Sequence, residues 1–597
     1  MLAGEVSSTR KKQEFVMRSN GGTYQSFAYK VKGSITVDWG DGIKDYFYSN
    51  NDTTSRTFTH TYTSAYSGDI KLRGNVNSIK YLAFGTGTNT TATQSQILKL
   101  SSIDYLSVSG SGNDWTLNIN NLPSRVSTFS IAGVNKIYGT VSSTTKFPDT
   151  LTSLSINGNN TIAGDIKWFF GTTASIIMPN LTSLGIVGKN TLSGNLINIL
   201  RGNPSLVGPT GPNGEPYWFT QIEDTQSYTN LTSLTIEGNN TVTGDIKWLA
   251  WTNLSAYGYL HILGNNTIYG NIGIFKVFSR VTIYGNNTVS GNLIGLSTDL
   301  GYAPYAFDNI KYLAIQGYNT ISGDIKDLPV SMTTISLWGY NTVYGDIANL
   351  PTLLDGFSIH GRNTITGDIA NISCGSLTSF YLDGYGDGAY GPVVGYGNTI
   401  YGDIADLATV GDLANTLSIF SVGGHNTLTG DIASLASFNN LSSFFINGNS
   451  SIYGDIGNIP DMLNRFLLAN SSGYIYGDIS NNSLQTFYVT GTNSITGNIA
   501  NININMYSFT LYKNTTKLSY TSKTWPVNQI KNLYLSPNIG AGLTTTEVDN
   551  LLIDLANGGA ANGATIYLAG HNSPHSAVSN VAIGILISKS CIVSYNI

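Results

Sequence analysis

Cysteine is almost missing from this chain. Its 597 residues contain two, Cys374 and Cys591, more than two hundred positions apart and without metal-type Cys or His spacing around them. Disulfide stapling is thereby excluded as the stabilising device, and no metal site or cofactor is expected. Charge is scarce as well, at 11% of residues with a net charge of −5. That balance removes the electrostatic case for nucleic acid or an anionic membrane surface. The one basic cluster, Arg10, Lys11 and Lys12, reads as a solvated tail. No apolar run approaches the ~20 residues of a membrane span, so no membrane insertion is expected. The opening MLAGEVSSTRKKQEFVMRSNGG lacks a positive segment followed by an apolar one, and a secretory signal is not expected there.

Enzymatic signatures are thin too. There is no G-x-S-x-G elbow and no H-E-x-x-H, and the six histidines (60, 261, 360, 425, 571, 575) are scattered, with His571 and His575 in a turn. A polysaccharide-degrading spike needs only one carboxylate pair. Almost every Asp, however, is accounted for by the repeat described next, leaving Glu237 and Asp383 over.

What is abundant is Gly (67 residues), Tyr (36), Asn, Ser and Thr, with 41% hydrophobic residues. A chain of this length exceeds what one hydrophobic core supports, roughly 250–300 residues. Either several domains or a repeat array follows. The pattern N-[TS]-h-x-G-[DN]-[IL] decides for the array: its Asn stands at 160, 190, 240, 266, 287, 319, 341, 363, 398, 426 and 493. Degenerate copies begin at Asn135, Ser450 and Gly473. The intervals from 319 to 341 to 363 are 22 residues each, the length of one solenoid coil.

Upstream of each anchor Asn, apolar residues alternate as in a half-buried strand: Leu154 and Ile156, Leu234 and Ile236, Ile335 and Leu337. Stacked coil on coil, these positions predict one continuous core. Asn at a sharp bend can pair main-chain groups that would otherwise be left over, and Gly supplies backbone angles closed to other residues. The Gly-Asp dipeptide could line nine Asp (165, 245, 324, 346, 368, 403, 431, 455, 478) along one edge as a cation chelator. Asn195, Asn271, Asn292 and Asn498 fill the same slot, keeping the oxygen acceptor and dropping the charge. A turn-capping hydrogen bond is the preferred expectation over calcium.

LTSLTIEGNNTVTGDI, at 231–246, resembles the leucine-rich repeat, above all its plant-type form L-x-x-L-x-L-x-x-N-x-L-x-G-x-I. Most copies carry one extra residue before the Asn; IKNLYLSPN at 530–538 has the usual spacing. The resemblance covers roughly residues 100–597 and implies a mainly β, leucine-rich-repeat-like solenoid.

The ends read differently. FAYKVKGSITVDWGDGIKDYFY and the later His60-Thr61-Tyr62 are similar to the polycystin-type (PKD) β-sandwich, whose marks are a W-G-D-G turn and an H-x-Y. Near the other end, Thr544 to Thr546 before Glu547 starts a helix that Gly558 stops, and a second candidate helix covers 576–590. These resemble the C-terminal segments beside leucine-rich repeats in surface proteins of gut bacteria and their phages, and imply a short α-helical cap. The expected domains are an attachment segment (1–26), a PKD-like β-sandwich and cap (27–100), the solenoid (101–542), and a last repeat with helical cap (543–597).

Two insertions break the period. Residues 201–228 hold four Pro. Residues 384–397 include a formal G-x-G-x-x-G at Gly386, Gly388 and Gly391, but Pro392-Val393-Val394 opens no helix for a phosphate.

Because the repeat can be compared with itself, a variable slot stands out three residues before the anchor. It reads Asn157, Val187, Glu237, Leu263, Tyr284, Gln316, Trp338, His360, Asn447, Asn470 and Thr490. No core position takes such a set, so the row is expected to be exposed, and in leucine-rich repeats the face beside these strands binds ligands. Glu237, Tyr284, Gln316, Trp338, His360 and Asp383 are the candidate ligand-binding residues, with rings for stacking and polar groups for hydroxyls. A second row, Tyr138, Tyr269, Tyr344, Tyr401, Tyr453 and Tyr476, is expected to stack on itself as structure. The function expected is a non-enzymatic tailed-phage virion appendage, a tail fibre or receptor-binding protein on the virion surface. Its partners would be a bacterial surface glycan or protein, other virion proteins at the N-terminal segment, and further copies of itself. The rivals are a bacterial cell-surface adhesin and a polysaccharide depolymerase spike.

Overall fold

Two strands and a tight helical turn make one coil, and the motif letters fall at the joints. In the computed structural model, strand Ser183–Asn195 shows the pattern: Leu184, Ile186 and Leu192 are buried, the outward residues alternate with them, and a helical turn at Leu196–Ile199 follows. Between Ile186 and Asn190 the pairing with the next coil changes register, so the extra residue before the Asn lies in a bulge. The sequence pattern marks only the strand before the Asn. The bulge divides the run into two, each paired in its own parallel sheet, which we call the first sheet (before the Asn) and the second sheet (after it).

The structure describes residues 13–596 apart from 52, 54, 86–87, 173–174, 177, 179, 200–229, 252–257, 298–309, 384–396, 470–471 and 482. Both insertions, with the G-x-G-x-x-G, lie outside the described residues apart from Gly397. The chain divides into two units. One holds the described residues up to Ser290 with Ile310 and Ile315–Gly317; the other holds Gly291–Ser297, Lys311–Ala314 and the described residues from Tyr318 onward.

In the first unit, Phe129, Leu154, Leu184, Leu234, Leu260 and Val281 stand side by side along the first sheet, all fully buried. In the second, the corresponding column is aromatic. Phe357, Phe380, Phe420, Phe444, Phe466, Phe487 and Phe509 follow one another with ring centroids 5.3–6.1 Å apart. Flat rings at successive strands pack face to face without voids, which gives that core a spine.

Polar side chains hold the coils in register. Every anchor Asn in the list above is fully buried. Asn190 shows why: the Ile162 N–H of the preceding coil donates to its Oδ1 (3.0 Å), and its Nδ2 donates to the Glu237 carbonyl of the next (3.3 Å). Asn341 does the same between Ile321 (3.1 Å) and His360 (3.1 Å). A buried amide that pairs a donor on one side and an acceptor on the other ties three coils together. Where the anchor is Ser450, its hydroxyl still accepts the Leu428 N–H at 3.2 Å. The ladder also includes Asn514 and Asn572, whose surroundings do not spell the motif.

Ahead of the first coil lie strands Lys44–Ser49, Gly33–Asp38, Asp69–Gly74, Glu14–Ser19 and Thr90–Thr91, an antiparallel sheet in that order. A second antiparallel set, Arg56–Tyr66, Gly22–Val31 and Ile79–Phe84, continues in parallel into Tyr105–Val108 of the first coil. Strand structure therefore starts at Glu14, ahead of the expected boundary at 27, while residues 1–12 lie outside the described residues. The two sequence marks noted in this region meet in space. Trp39 is fully buried, its ring stacks on His60 (4.9 Å, 16°), and its indole N–H donates to Asp45 at 2.7 Å. Tyr62 donates to the Trp39 carbonyl (3.0 Å), and His60 Nε2 lies 2.7 Å from Asp41. Burial alone would raise the Asp41 carboxyl, but the Ile43 N–H and the His60 ring outweigh it and hold the group below its ordinary range.

Near the C-terminus, helix Thr545–Asp554 begins at the expected start signal, where Thr544 and Glu547 form a capping box. It connects strands Ile530–Ser536 and Ala560–Leu568, which pair in parallel, and helix Asn580–Ser588 leads to strand Ile592–Tyr595 on the same sheet. These helices are thus the outer limbs of further coils. The expected arrangement, a final helical shield, is not what is seen: the last described element is a strand paired on one side among the described residues. Ile592 and Val593 are both β-branched, which suits a strand. His575 packs edge-on against Tyr595 at 4.3 Å, and the buried Asp549 accepts from Ser576 and Ser579. Both cysteines are free and buried; burial pushes the Cys374 thiol up to about 11.

Candidate functional site

Alternation along the first sheet sends every second side chain outward, so each strand offers two or three outward positions and successive strands align them in columns. The predicted site residues all belong to this face, but they do not form one cluster.

In the first unit, Glu237 is half-buried and its carboxylate lies 2.7 Å from Nε2 of His261 on the next strand. The His261 ring stacks on Tyr259 (5.9 Å, 6°), over which the Arg280 guanidinium sits at 5.7 Å. Tyr284 is half-buried, and Gln316 is exposed. Glu237, one of the two acids the repeat left over, is therefore engaged with a histidine that sequence reading passed by as scattered.

In the second unit, Trp338 and His360 do come together, with ring centroids 3.7 Å apart, and Tyr381 stacks on the far side of His360 at 4.5 Å and 21°. Full exposure of this row was expected. His360 overturns it: the ring is 4% exposed, because large rings on both adjoining strands cover it. Asp383 ends strand Ser379–Asp383 opposite His360, and its side chain lies outside the described residues. At the corner beside this group, Tyr318 and Tyr340 stack at 6.2 Å, and Arg362 lies over Tyr340 at 6.0 Å.

Burial pushes the His360 imidazole down from 6.5 to about 4. Between those values the unfolded chain takes up a proton that the folded chain refuses. The stability carried by the neutral ring is complete above pH ~6.5 and lost as pH falls toward ~4, on the order of 3 kcal/mol in all. A lower melting temperature at pH about 4.5 than at about 7.5 is expected, and His360→Phe should remove most of that difference.

The outward face is largely apolar farther along. Phe445, Leu467 and Tyr488 follow one another in one column, which the buried Thr510 continues to Tyr534 and Tyr567; these five apolar members are half-buried. Tyr534 lies between Tyr512 (6.5 Å) and Tyr567 (5.8 Å). Burial raises the Tyr488 hydroxyl above its ordinary value. Counting three back from the anchor missed Tyr381, because it stands between the inward Phe380 and Leu382, one outward position ahead of the counted slot that Asp383 fills. Tyr534 and Tyr567 stand in the same column as Tyr381 and were missed with it.

An inward apolar pair, a buried Asn and a helical turn recur coil after coil within each unit. The fold is leucine-rich-repeat-like. No protein-family model and no curated protein matches the chain. Among solved structures, it is similar to the plant peptide hormone receptor RGFR1 in complex with RGF2, at 16% identity and a TM-score of 0.47, over 87% of this chain and 80% of that one. The Arabidopsis HAESA leucine-rich-repeat ectodomain with an extended IDA peptide is similar at 20% identity and 0.45, over 76% and 73%. A plant ice-binding protein is similar at 15% and 0.28, over 41% and 67%. Likeness at these levels carries no argument about ligand or location, and the repeat character rests on the coils themselves.

The second sheet carries the Gly-Asp slot and the tyrosine row. Each slot residue caps the turn that follows: Asp346 Oδ1 accepts the Ala348 N–H at 2.9 Å, and Asn271 accepts the Gly273 N–H at the same distance. Capping explains why Asp and Asn interchange there. In the second unit the slot holds Asp in seven successive copies, 324 to 478, and among the described residues Asp324 alone has a cationic partner, Lys326 at 3.2 Å. Neighbouring like charges on a sheet cost a few tenths of a kcal/mol each. Changing Asp368, Asp403, Asp431 and Asp455 together to Asn should keep the caps, raise the melting temperature in low salt and flatten its salt dependence. A calcium-dependent rise in melting temperature of the unaltered protein, reversed by chelator, would contradict this account.

The tyrosine row does not stack on itself. Its members are 42–50% exposed, and no two of the six rings pair. Ser or Thr intervenes in most adjacent coils, and a two-residue stagger between coils sets equivalent positions apart. Tyr269, for example, stands beside Asp245 and Thr288.

Proposed function

We propose that this chain is a non-enzymatic recognition protein that binds a ligand on a bacterial cell surface through the outward face of its first sheet. One observation carries this: the Trp338, His360 and Tyr381 stack and the Phe445 to Tyr567 column form apolar surface on a face where a monomer's sheet would normally be polar. Apolar and aromatic outward columns of this extent suit a protein partner, with Trp338 and Tyr381 as anchors. Their construction on strands tied by the Asn ladder keeps them rigid, which lowers the entropy lost on binding.

The setting we propose is a tailed-phage virion appendage, a tail fibre or receptor-binding protein on the virion surface. Low charge and abundant Tyr, Asn, Ser and Thr support it, as does a repeat that builds a long surface from short coils. The N-terminal strands would form a PKD-like module carrying the coils. Catalysis is disfavoured because Glu237 is engaged with His261, and no group of three His, Cys, Asp or Glu that could hold a metal occurs among the described residues.

Binding of the purified chain to bacterial cells tests the face. The double variant Trp338→Ser, Tyr381→Ser is expected to bind at least tenfold more weakly while staying folded by circular dichroism at the assay temperature; equal binding would remove the proposal. Immunogold labelling is expected to decorate virions, and label confined to the bacterial envelope would make the protein an adhesin instead.

A further inference from the structure

The second sheet displays a repeated grouping that the first-sheet proposal does not use. Its stagger places an acid of one coil, a tyrosine of the next and a threonine of the third in a line across three strands. In the first unit the line is Asp245, Tyr269 and Thr288; in the second it is Asp368, Tyr401 and Thr427. Neighbouring members are one strand spacing apart, ~4.8 Å. All three belong to alternate, outward positions of their strands. Tyr269 and Tyr401 are each 46% exposed, and both threonines are exposed.

None of this is needed to close the coil. The same position holds Ser193, Ser290 or Thr366 in other copies, and their strands pair in the same way. Asp368 Oδ1 accepts the Ala370 N–H (3.0 Å), and among the described residues its Oδ2 accepts no hydrogen bond, whereas Asp245 Oδ2 has the Lys247 ammonium at 3.7 Å. What remains outward is an aromatic ring with a carboxylate oxygen on one side and a hydroxyl on the other.

We propose that these Asp-Tyr-Thr lines are binding sites for neutral sugar residues of a glycan. The C–H face of a pyranose stacks on the exposed tyrosine, as apolar faces do on aromatic rings. A carboxylate oxygen accepts from the sugar's hydroxyl donors, and charge-assisted bonds of that kind are the stronger sort. The threonine hydroxyl donates to or accepts from the opposite edge. Charge sets the class: the run of slot aspartates in the second unit repels sialylated or uronate-bearing chains and leaves neutral hexoses. Because the grouping recurs, each site can be weak alone while several together hold a polymer.

The test is binding of the purified full chain to immobilised neutral gluco-, galacto- and manno-oligosaccharides, with sialylated and uronate-bearing oligosaccharides as separate arms. Binding to at least one neutral series and not to the acidic arms is expected. The double variant Tyr269→Ser, Tyr401→Ser adopts residues the chain already uses at this position and should keep its melting temperature while losing at least tenfold in apparent affinity. Asp368→Asn keeps the cap and should weaken binding by a smaller factor. The Trp338→Ser, Tyr381→Ser variant should bind these sugars normally, so failure here is distinguishable from failure of the first-sheet proposal. Absence of binding to every neutral series, preference for the acidic arms, or unchanged affinity in the tyrosine double variant would each overturn the assignment.

Discussion

Replacing Asn341 by Ala is expected to destabilise its part of the chain by about 2–5 kcal/mol, among the largest effects of any single substitution in the molecule. The side chain is fully buried and completes two main-chain groups at once, the Ile321 N–H and the His360 carbonyl. Truncation leaves both without partners in a site closed to water, at about 1–3 kcal/mol each. Asn341→Asp separates the two halves of the role, because it keeps the acceptor and loses the donor while burying a charge against a carbonyl. It should be no better than Ala at neutral pH. Repeat proteins lose structure locally, so melting curves should be read beside amide hydrogen exchange. The Ile321 amide should exchange faster in both variants.

A comparable loss, about 2–4 kcal/mol, is expected from Gly345→Ala. Gly345 has φ of +122°, where a Cβ is strained, and that Cβ would stand 2.3 Å from Asp324 Oδ1 and 2.9 Å from a branch carbon of Ile325. Asp324 cannot move aside, since the same oxygen caps the next turn by accepting the Lys326 N–H. In a double-mutant cycle with Asp324→Ala, the two losses should sum to more than the double variant shows, because removing the carboxylate removes the clash. Circular dichroism melts of the four proteins supply the terms. Additive losses would mean that Gly345 is needed for its backbone angle alone.

Both effects were legible in the letters of the repeat, and physical reasons mark where legibility ended. Asn and Gly-Asp announced their roles because hydrogen-bonding chemistry and backbone angle restrict them wherever the coil turns. The two-strand coil was not evident, since a bulge and a turn ask for the same residues. The row lies at outward strand positions, yet His360 is buried, because exposure there depends on the size of the side chains on the adjoining strands. Tyr381 and His261 escaped for a related reason: each stands between the two inward residues of its strand, one outward position ahead of the counted slot, and matters through partners on neighbouring strands. The tyrosine row illustrates the reverse error. Equal spacing along the chain suggested equal stacking in space, but the stagger of the second sheet sets the rings beside other residue types, Tyr269 and Tyr401 each between an acid and a threonine.

Thiol labelling along one strand tests the coil architecture most directly, because the two native cysteines are buried and give little background. Single cysteines placed at 443, 444, 445, 446 and 447 sample strand Ser443–Gly448, where Phe444 and Ile446 are fully buried and Ser443, Phe445 and Asn447 face outward. Fast reaction at 443, 445 and 447 with protection at 444 and 446 is the predicted result. Uniform labelling, or protection at the odd-numbered positions, would contradict a shared core with the recognition face turned outward.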